Sequence, residues 1–280
     1  LIATAALGLS AASPQSHAAT YTWTGNTDPN WSTATNWTPN TAAPGAGATA
    51  DDANFSAPAP GETSVNVIGT FKLGTPTGNN ASTADNTTLT LSTGASQKFE
   101  VGAGATFSVY GQAVNMNADL TLGGDLNVNV NTASFTFGGG KAITTNNFNI
   151  NFNIVGGSLA AITSNLGASS SKIVLSGGGN LTLSGNNAFT GGVEAKDGRL
   201  YIGSNTALGT GTLTLGESSN VAGTSVLNTI GGNRVLNNEL AWINRNLEIK
   251  GEGSISFTGS GTMAAIGNRT VTVDDKTTFT

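Results

Sequence analysis

The 280-residue chain has no cysteine and a single histidine, His17, and only 10% of it is charged. Without cysteine there can be no disulfide, no thiol nucleophile and no thiolate-bound metal. With one histidine, close to the N-terminus, a serine–histidine–aspartate triad has no base and zinc lacks its usual imidazole ligands. Charge is well below the roughly 25% of an ordinary soluble domain. The 11 basic residues are scattered from Lys72 to Lys276. Nucleic-acid binding needs a basic stripe to neutralise phosphates, and none is present. Glu, Lys, Arg, Gln and Met, which suit exposed helix faces, are scarce, so a helical protein is excluded. No uninterrupted apolar run reaches about 18 residues, the length of a spanning helix. Proline, at 7 residues, and the aperiodic glycines exclude collagen. The G-x-S-x-G, P-loop and G-x-G-x-x-G signatures are missing, and no cofactor is expected.

What the chain does have is 41 threonines, 32 asparagines and 39 glycines. With 38% apolar residues and a net charge of -5, it is not disordered by the usual route of low hydrophobicity and high charge. Such a composition describes a β protein of extracellular type. Residues Leu1 to Leu9, LIATAALGL, form an apolar run followed by Pro14 and the small residues Ser16 and Ala18. This pattern predicts a truncated signal peptide over 1–18, cut between Ala18 and Ala19. A short buried helix is the alternative. Residues 19–60 then hold three of the four tryptophans, Trp23, Trp31 and Trp37. Clustered tryptophans either stack on sugars or cover an apolar end. An open solenoid end needs a cover, so an N-terminal Trp-rich cap is expected.

From residue 61 onward, short alternating segments recur between Gly, Asn, Ser and Asp breaks. They include LTL at Leu89, FSV at Phe107, LTL at Leu120, LNVNV at Leu126, FTF at Phe135 and FNINFNI over Phe148 to Ile154. LTL at Leu181, LYI at Leu200, LTL at Leu213, LEI at Leu247, ISF at Ile255 and VTV at Val271 follow. Period-two alternation places the apolar set inside and the Thr and Asn set outside. So many strands exceed a single sandwich of seven to nine. Each offers only two or so inward residues, which suits a thin core shared by stacked coils. Asn-rich turns can stack into amide ladders between such coils. The expectation is an all-β solenoid over 61–280 that continues past 280.

Gly177 to Leu215 reads GGGNLTLSGNNAFTGGVEAKDGRLYIGSNTALGTGTLTL. This stretch resembles the autotransporter-associated β-strand repeat, also called the passenger-associated transport repeat. The resemblance rests on Leu181, Leu183, Gly185, Asn186, Phe189, Thr190, Gly191, Gly192, Gly198, Leu200, Ala207, Leu208, Gly209, Gly211, Leu213 and Leu215. The Trp-rich start and the tail from Asn233 are also similar to parts of large secreted proteins bearing such repeats. The resemblance implies a right-handed parallel β-helix passenger that is exported through the periplasm to the surface of a Gram-negative cell. It implies an outer-membrane translocator as partner, and a repeat that assists folding and export rather than catalysis. Read physically, Leu181 and Leu183 point inward, and Phe189 fills the core or a corner. Gly185-Asn186-Asn187 allows positive φ at a corner, while Gly191-Gly192 and Asp197-Gly198 form others. Ala195 stands where the family has a bulkier residue, which predicts a thinly packed coil.

Parallel β-helices can carry polysaccharide-cleaving sites, which need two acids about 5 to 9.5 Å apart. The candidates are Asp119 with Asp125, Asp51 with Asp52, and Asp274 with Asp275. Adjacent residues in a strand point to opposite faces, which argues against the last two pairs. Glu194, Lys196, Asp197 and Arg199 are the densest charge cluster and read as a solvated strand and turn. A lone GGD at Gly123 to Asp125 is too little for calcium. Single outward threonines at 90, 121, 182 and 214 do not form the paired rows of an ice-binding face. The expectation is therefore a non-enzymatic, monomeric surface stalk or adhesin scaffold, with a host or matrix glycan or protein as its ligand. A polysaccharide-active enzyme or carbohydrate-binding module is the alternative.

Overall fold

A computed structural model describes residues 20–24, 27–28, 33–41, 52–54, 64–67, 70–74, 89–92, 98–101, 105–110, 113–217, 223–264 and 268–274. Among these the only helical turn is the 3-10 segment Ala34–Asn36. The regular structure is otherwise strand, joined by turns, as expected where β-branched and small polar residues alternate with apolar ones.

The strands form a parallel β-solenoid with two long sheets. Sheet I has nine strands, from Thr70–Gly74 through Leu126–Asn131, Ile150–Ile154, Ile173–Ser176, Val193–Ala195 and Leu213–Leu215 to Gly261–Ala264. Sheet II also has nine, from Leu89–Ser92 through Ser134–Phe137, Asn180–Leu183, Arg199–Ile202 and Asn246–Gly251 to Val271–Val273. Each turn of the chain adds one strand to each sheet. A shorter third side begins as Ser64–Val67, Lys98–Val101, Asp119–Leu122 and Ile143–Thr144. It continues as a single bridge from Ile143 to Leu166.

Register keeps like with like. In sheet II, Val114, Phe135, Ala160, Leu181, Leu200, Leu227 and Ile249 are successive partners, and every one is buried. A slip of one residue would turn each of these to solvent, so burial itself fixes the pairing. In sheet I the equivalent row runs Phe107, Val128, Phe152, Leu175, Ala195, Leu215 and Trp242. The core is one continuous cluster filled from both sheets. Phenylalanines are concentrated in its early coils, where Phe135 and Phe137 meet edge to face at 4.7 Å.

Coil length varies while register holds. Neighbouring coils are offset by 24 residues at Asn127 and Asn151, by 20 at Asn186 and Thr206, and by 27 at Thr212 and Glu239. Pairing in sheet I stays in register across all three offsets.

At the N-terminal end, Thr20–Trp23 pairs with Trp37–Thr38 and Asp52–Asn54 in a three-stranded sheet. Asp52–Asn54 lies beside Leu89–Ser92, the first strand of sheet II. Trp37 is buried. The buried Asn36 ties the neighbouring turn together, accepting from Thr27 N at 2.9 Å and donating to the Asp28 carbonyl at 2.6 Å. At the other end, Met263, Val271 and Val273 are exposed although they align with the buried Trp242, Leu247 and Ile249. The predicted leader with Ala18 and Ala19, together with Trp31, Asp51 and Asp275, lies outside the described residues.

Candidate functional site

The stretch carrying the resemblance occupies the most regular coils. Leu181, Leu183, Phe189, Leu200, Leu208, Leu213 and Leu215 are all buried, and Thr182 and Ser184 face outward between them. Thr190 donates its hydroxyl to the Ser169 carbonyl of the preceding coil at 3.1 Å. Ala195 is buried between Leu175 and Leu215, the place of the expected thin packing.

Two glycines show what the repeat requires of its backbone. Gly192 has φ of +80°, and a Cβ there would stand 2.2 Å from the Thr212 carbonyl of the next coil. Gly211 has ordinary φ, yet a Cβ would meet the Thr190 carbonyl at 2.2 Å. Side chains at such points would push coils apart, so glycine serves close approach as much as turning.

The corner at Gly185, Asn186 and Asn187 does not use the positive φ that its residues allow, for none of the three has it. The corner turns with ordinary backbone angles because side-chain amides hold it. Asn187 is buried, accepting from Leu166 N at 2.8 Å and donating to the Ala207 carbonyl at 2.6 Å. One amide thus joins three consecutive coils on the side where the strands have run out. Asn238 does similar work, donating to the Gly209 and Gly211 carbonyls at 3.2 and 2.6 Å. Asn186, the asparagine on which the resemblance rests, has an exposed side chain that accepts only from the Thr206 hydroxyl, at 3.3 Å.

A second device recurs at exposed corners, where an Asn or Asp side-chain oxygen accepts the backbone N–H of the next coil. Asp119 takes Ala142 N, Asp125 takes Asn149 N, and Asn149 in turn takes Lys172 N, at 2.8, 2.8 and 2.9 Å. Asn147, Asn165, Asn233 and Asn246 do the same for Ser170, Asn186, Ser254 and Thr270. Turns leave N–H groups without ladder partners, and these side chains satisfy them. The carboxylates of Asp119 and Asp125, the best-spaced acid pair, are engaged in this stitching. Among the described residues no group of three or more His, Cys, Asp or Glu side chains could hold a metal.

The predicted charge cluster splits in two. Glu194 sits 3.5 Å from Lys172 and 3.7 Å from Lys196, in solvated pairs of the kind worth at most about 1 kcal/mol. Asp197 instead meets Arg245 at 2.7 Å, across 48 residues of sequence. The Arg245 side chain is only 4% exposed and runs past Gly216 and Gly223, whose missing side chains leave it room. Its Nε and Nη1 have no hydrogen-bond partner. Nothing in the local sequence marks this arginine as buried.

On the outer surface of sheet I, strands Leu126–Asn131 and Ile150–Ile154 carry asparagine at every outward position. These are Asn127, Asn129 and Asn131 on one strand and Asn151 and Asn153 on the other. Asn151 donates to Asn127 at 3.1 Å, forming one rung of an amide ladder. Asn129 and Asn153 are also in register but do not bond each other, and the Asn131 amide is likewise unpartnered. At the adjoining corner Val155 and Leu159 are 40% and 45% exposed.

These features define a class: a parallel β-solenoid with an apolar interior and amide-stitched corners. No known protein family, curated protein or solved structure matches the chain.

Proposed function

We propose that this chain is an exported β-helical passenger segment that serves as a stalk and adhesin scaffold on a bacterial surface. Its repeat at 177–215 assists folding and export, and an outer-membrane translocator is its export partner. The observation that carries the reading is the unbroken register of two nine-stranded parallel sheets over one core. At about 4.8 Å per strand, nine strands extend the column by about 40 Å, and each coil leans on the next. Such a rod gives reach and stiffness, and its outward Thr and Asn present a polar surface. The burial of Trp37 and Trp242 and the use of Asp119 and Asp125 as stitches support a scaffold over an enzyme.

The experiment is a deletion matched to the fold. Leu175, Ala195 and Leu215 are successive partners in sheet I, so removing residues 177–216 takes out two whole coils and rejoins the chain in phase. Fused to a leader and a translocator in a Gram-negative host, the intact chain should reach the surface and become accessible to added protease. The deleted chain should fold but be displayed several-fold less. Equal display would refute the export role of the repeat, and a failure of the intact chain to be displayed at all would refute the passenger reading.

A further inference from the structure

We propose that the asparagine face of sheet I, with the ledge formed by Val155 and Leu159, binds a neutral polysaccharide. The inference rests on the adhesin part of the reading above and names its ligand class.

No charged residue lies in strands Leu126–Asn131 or Ile150–Ile154. An acidic ligand lying along these two strands would lose hydration without gaining a counter-charge from them, whereas a neutral one meets no such penalty. Each amide offers two donor hydrogens and an acceptor oxygen, matching a sugar hydroxyl, which both donates and accepts. The side chains of Asn129, Asn131 and Asn153 have no partner within the protein, so binding breaks no existing bond.

The array is also pre-organised. The ladder sets the amides about 4.8 Å apart between strands and about 6.7 Å apart along them. The backbone that carries the amides is fixed before binding, which limits the ordering cost to the side chains themselves. Val155 continues the outward row of Asn151 and Asn153, and Leu159 opens the neighbouring strand of sheet II. Both are exposed, and they supply an apolar surface for the C–H faces of pyranose rings. Amide rows beside a small apolar ledge fit a chain of neutral sugars better than a flat protein partner, which would bring a larger apolar face.

The test is a titration of the full 280-residue chain, followed by amide NMR shifts, with cellohexaose, maltohexaose, chitohexaose and, as acidic counter-probe, hexagalacturonate. At least one neutral hexasaccharide should bind saturably and shift the 126–131 and 150–159 resonances. The double variant Asn129→Ala/Asn153→Ala should weaken that binding at least tenfold with an unchanged circular dichroism spectrum, and Val155→Ser should weaken it less. Thr136→Ala/Thr182→Ala on sheet II should leave it unaltered. The proposal is overturned if no neutral probe binds, if hexagalacturonate binds more tightly, or if the sheet II variant loses as much. It is also overturned if the face instead mediates self-association that Asn129→Ala/Asn153→Ala abolishes. Each of these outcomes leaves the stalk reading standing, because that reading is judged by surface display.

Discussion

Replacing Asn187 with alanine should loosen three coils at once. Its amide accepts from Leu166 N and donates to the Ala207 carbonyl, across 21 and 20 residues, at a site almost closed to solvent. Truncation leaves both backbone groups buried and unmatched, at about 1 to 3 kcal/mol each. The space vacated by the amide is polar and can admit a water, so the expected loss is about 2 to 4 kcal/mol rather than the full sum. Its sequence neighbour supplies the control. Asn186 is exposed and accepts only from the Thr206 hydroxyl, so Asn186→Ala should cost no more than about 0.5 kcal/mol. Urea unfolding gives the two stabilities, and hydrogen exchange shows whether the loss is local. In the Asn187 variant the Leu166 amide should lose protection first, since opening in a stacked fold begins where neighbour contacts fail. If the two alanine variants are equally stable, or if Leu166 N–H stays protected, the corner is not held by this amide.

Three other perturbations probe separate parts of the fold. Leu183→Asp would place a carboxylate among fully buried apolar side chains, so protease resistance and the β-type circular dichroism should be lost, whereas Leu183→Ala should cost about 2 to 5 kcal/mol. Gly211→Ala should destabilise strongly because its methyl would meet the Thr190 carbonyl, while Gly167→Ala, with open space around it, should be nearly neutral in the same thermal melt. Arg245→Ala should cost about 2 to 4 kcal/mol by leaving a hole along Gly216 and Gly223 and removing the partner of Asp197. Lys172→Ala, at a solvated pair, should change stability by less than about 1 kcal/mol.

Where alternation was explicit, the sequence disclosed the strands. LNVNV at Leu126, FTF at Phe135, LTL at Leu181 and at Leu213, and LEI at Leu247 all became strands with the expected residues inside. FNINFNI begins as a strand only at Ile150, because Asn149 is taken up with Asp125 and Lys172 at the corner. Gly261–Ala264 escaped notice because GTMA has no apolar alternation, and its pairing is imposed by the preceding strand Leu240–Ile243. The amide stitching was foreseen as a tendency of Asn-rich turns, but not its particular members. Asn186 and Asn187 look alike in sequence, and only the path of the neighbouring coils decides which is buried. Arg245 was invisible for a similar reason. Its counter-ion is 48 residues away, and the glycines that admit it belong to the intervening coil.

Every coil adds one strand to each sheet without a slip, and spin-label distances test this most directly. The chain has no cysteine, so labels can be placed at will on the outward row of sheet II at Asn115, Thr136, Thr182 and Lys250. Lys250 is three strands from Thr182, five from Thr136 and six from Asn115. The separations should be about 14, 24 and 29 Å, rising by one strand spacing per coil. Distances that fail to rise in that order, or an Asn115–Lys250 separation no greater than Thr182–Lys250, would contradict this.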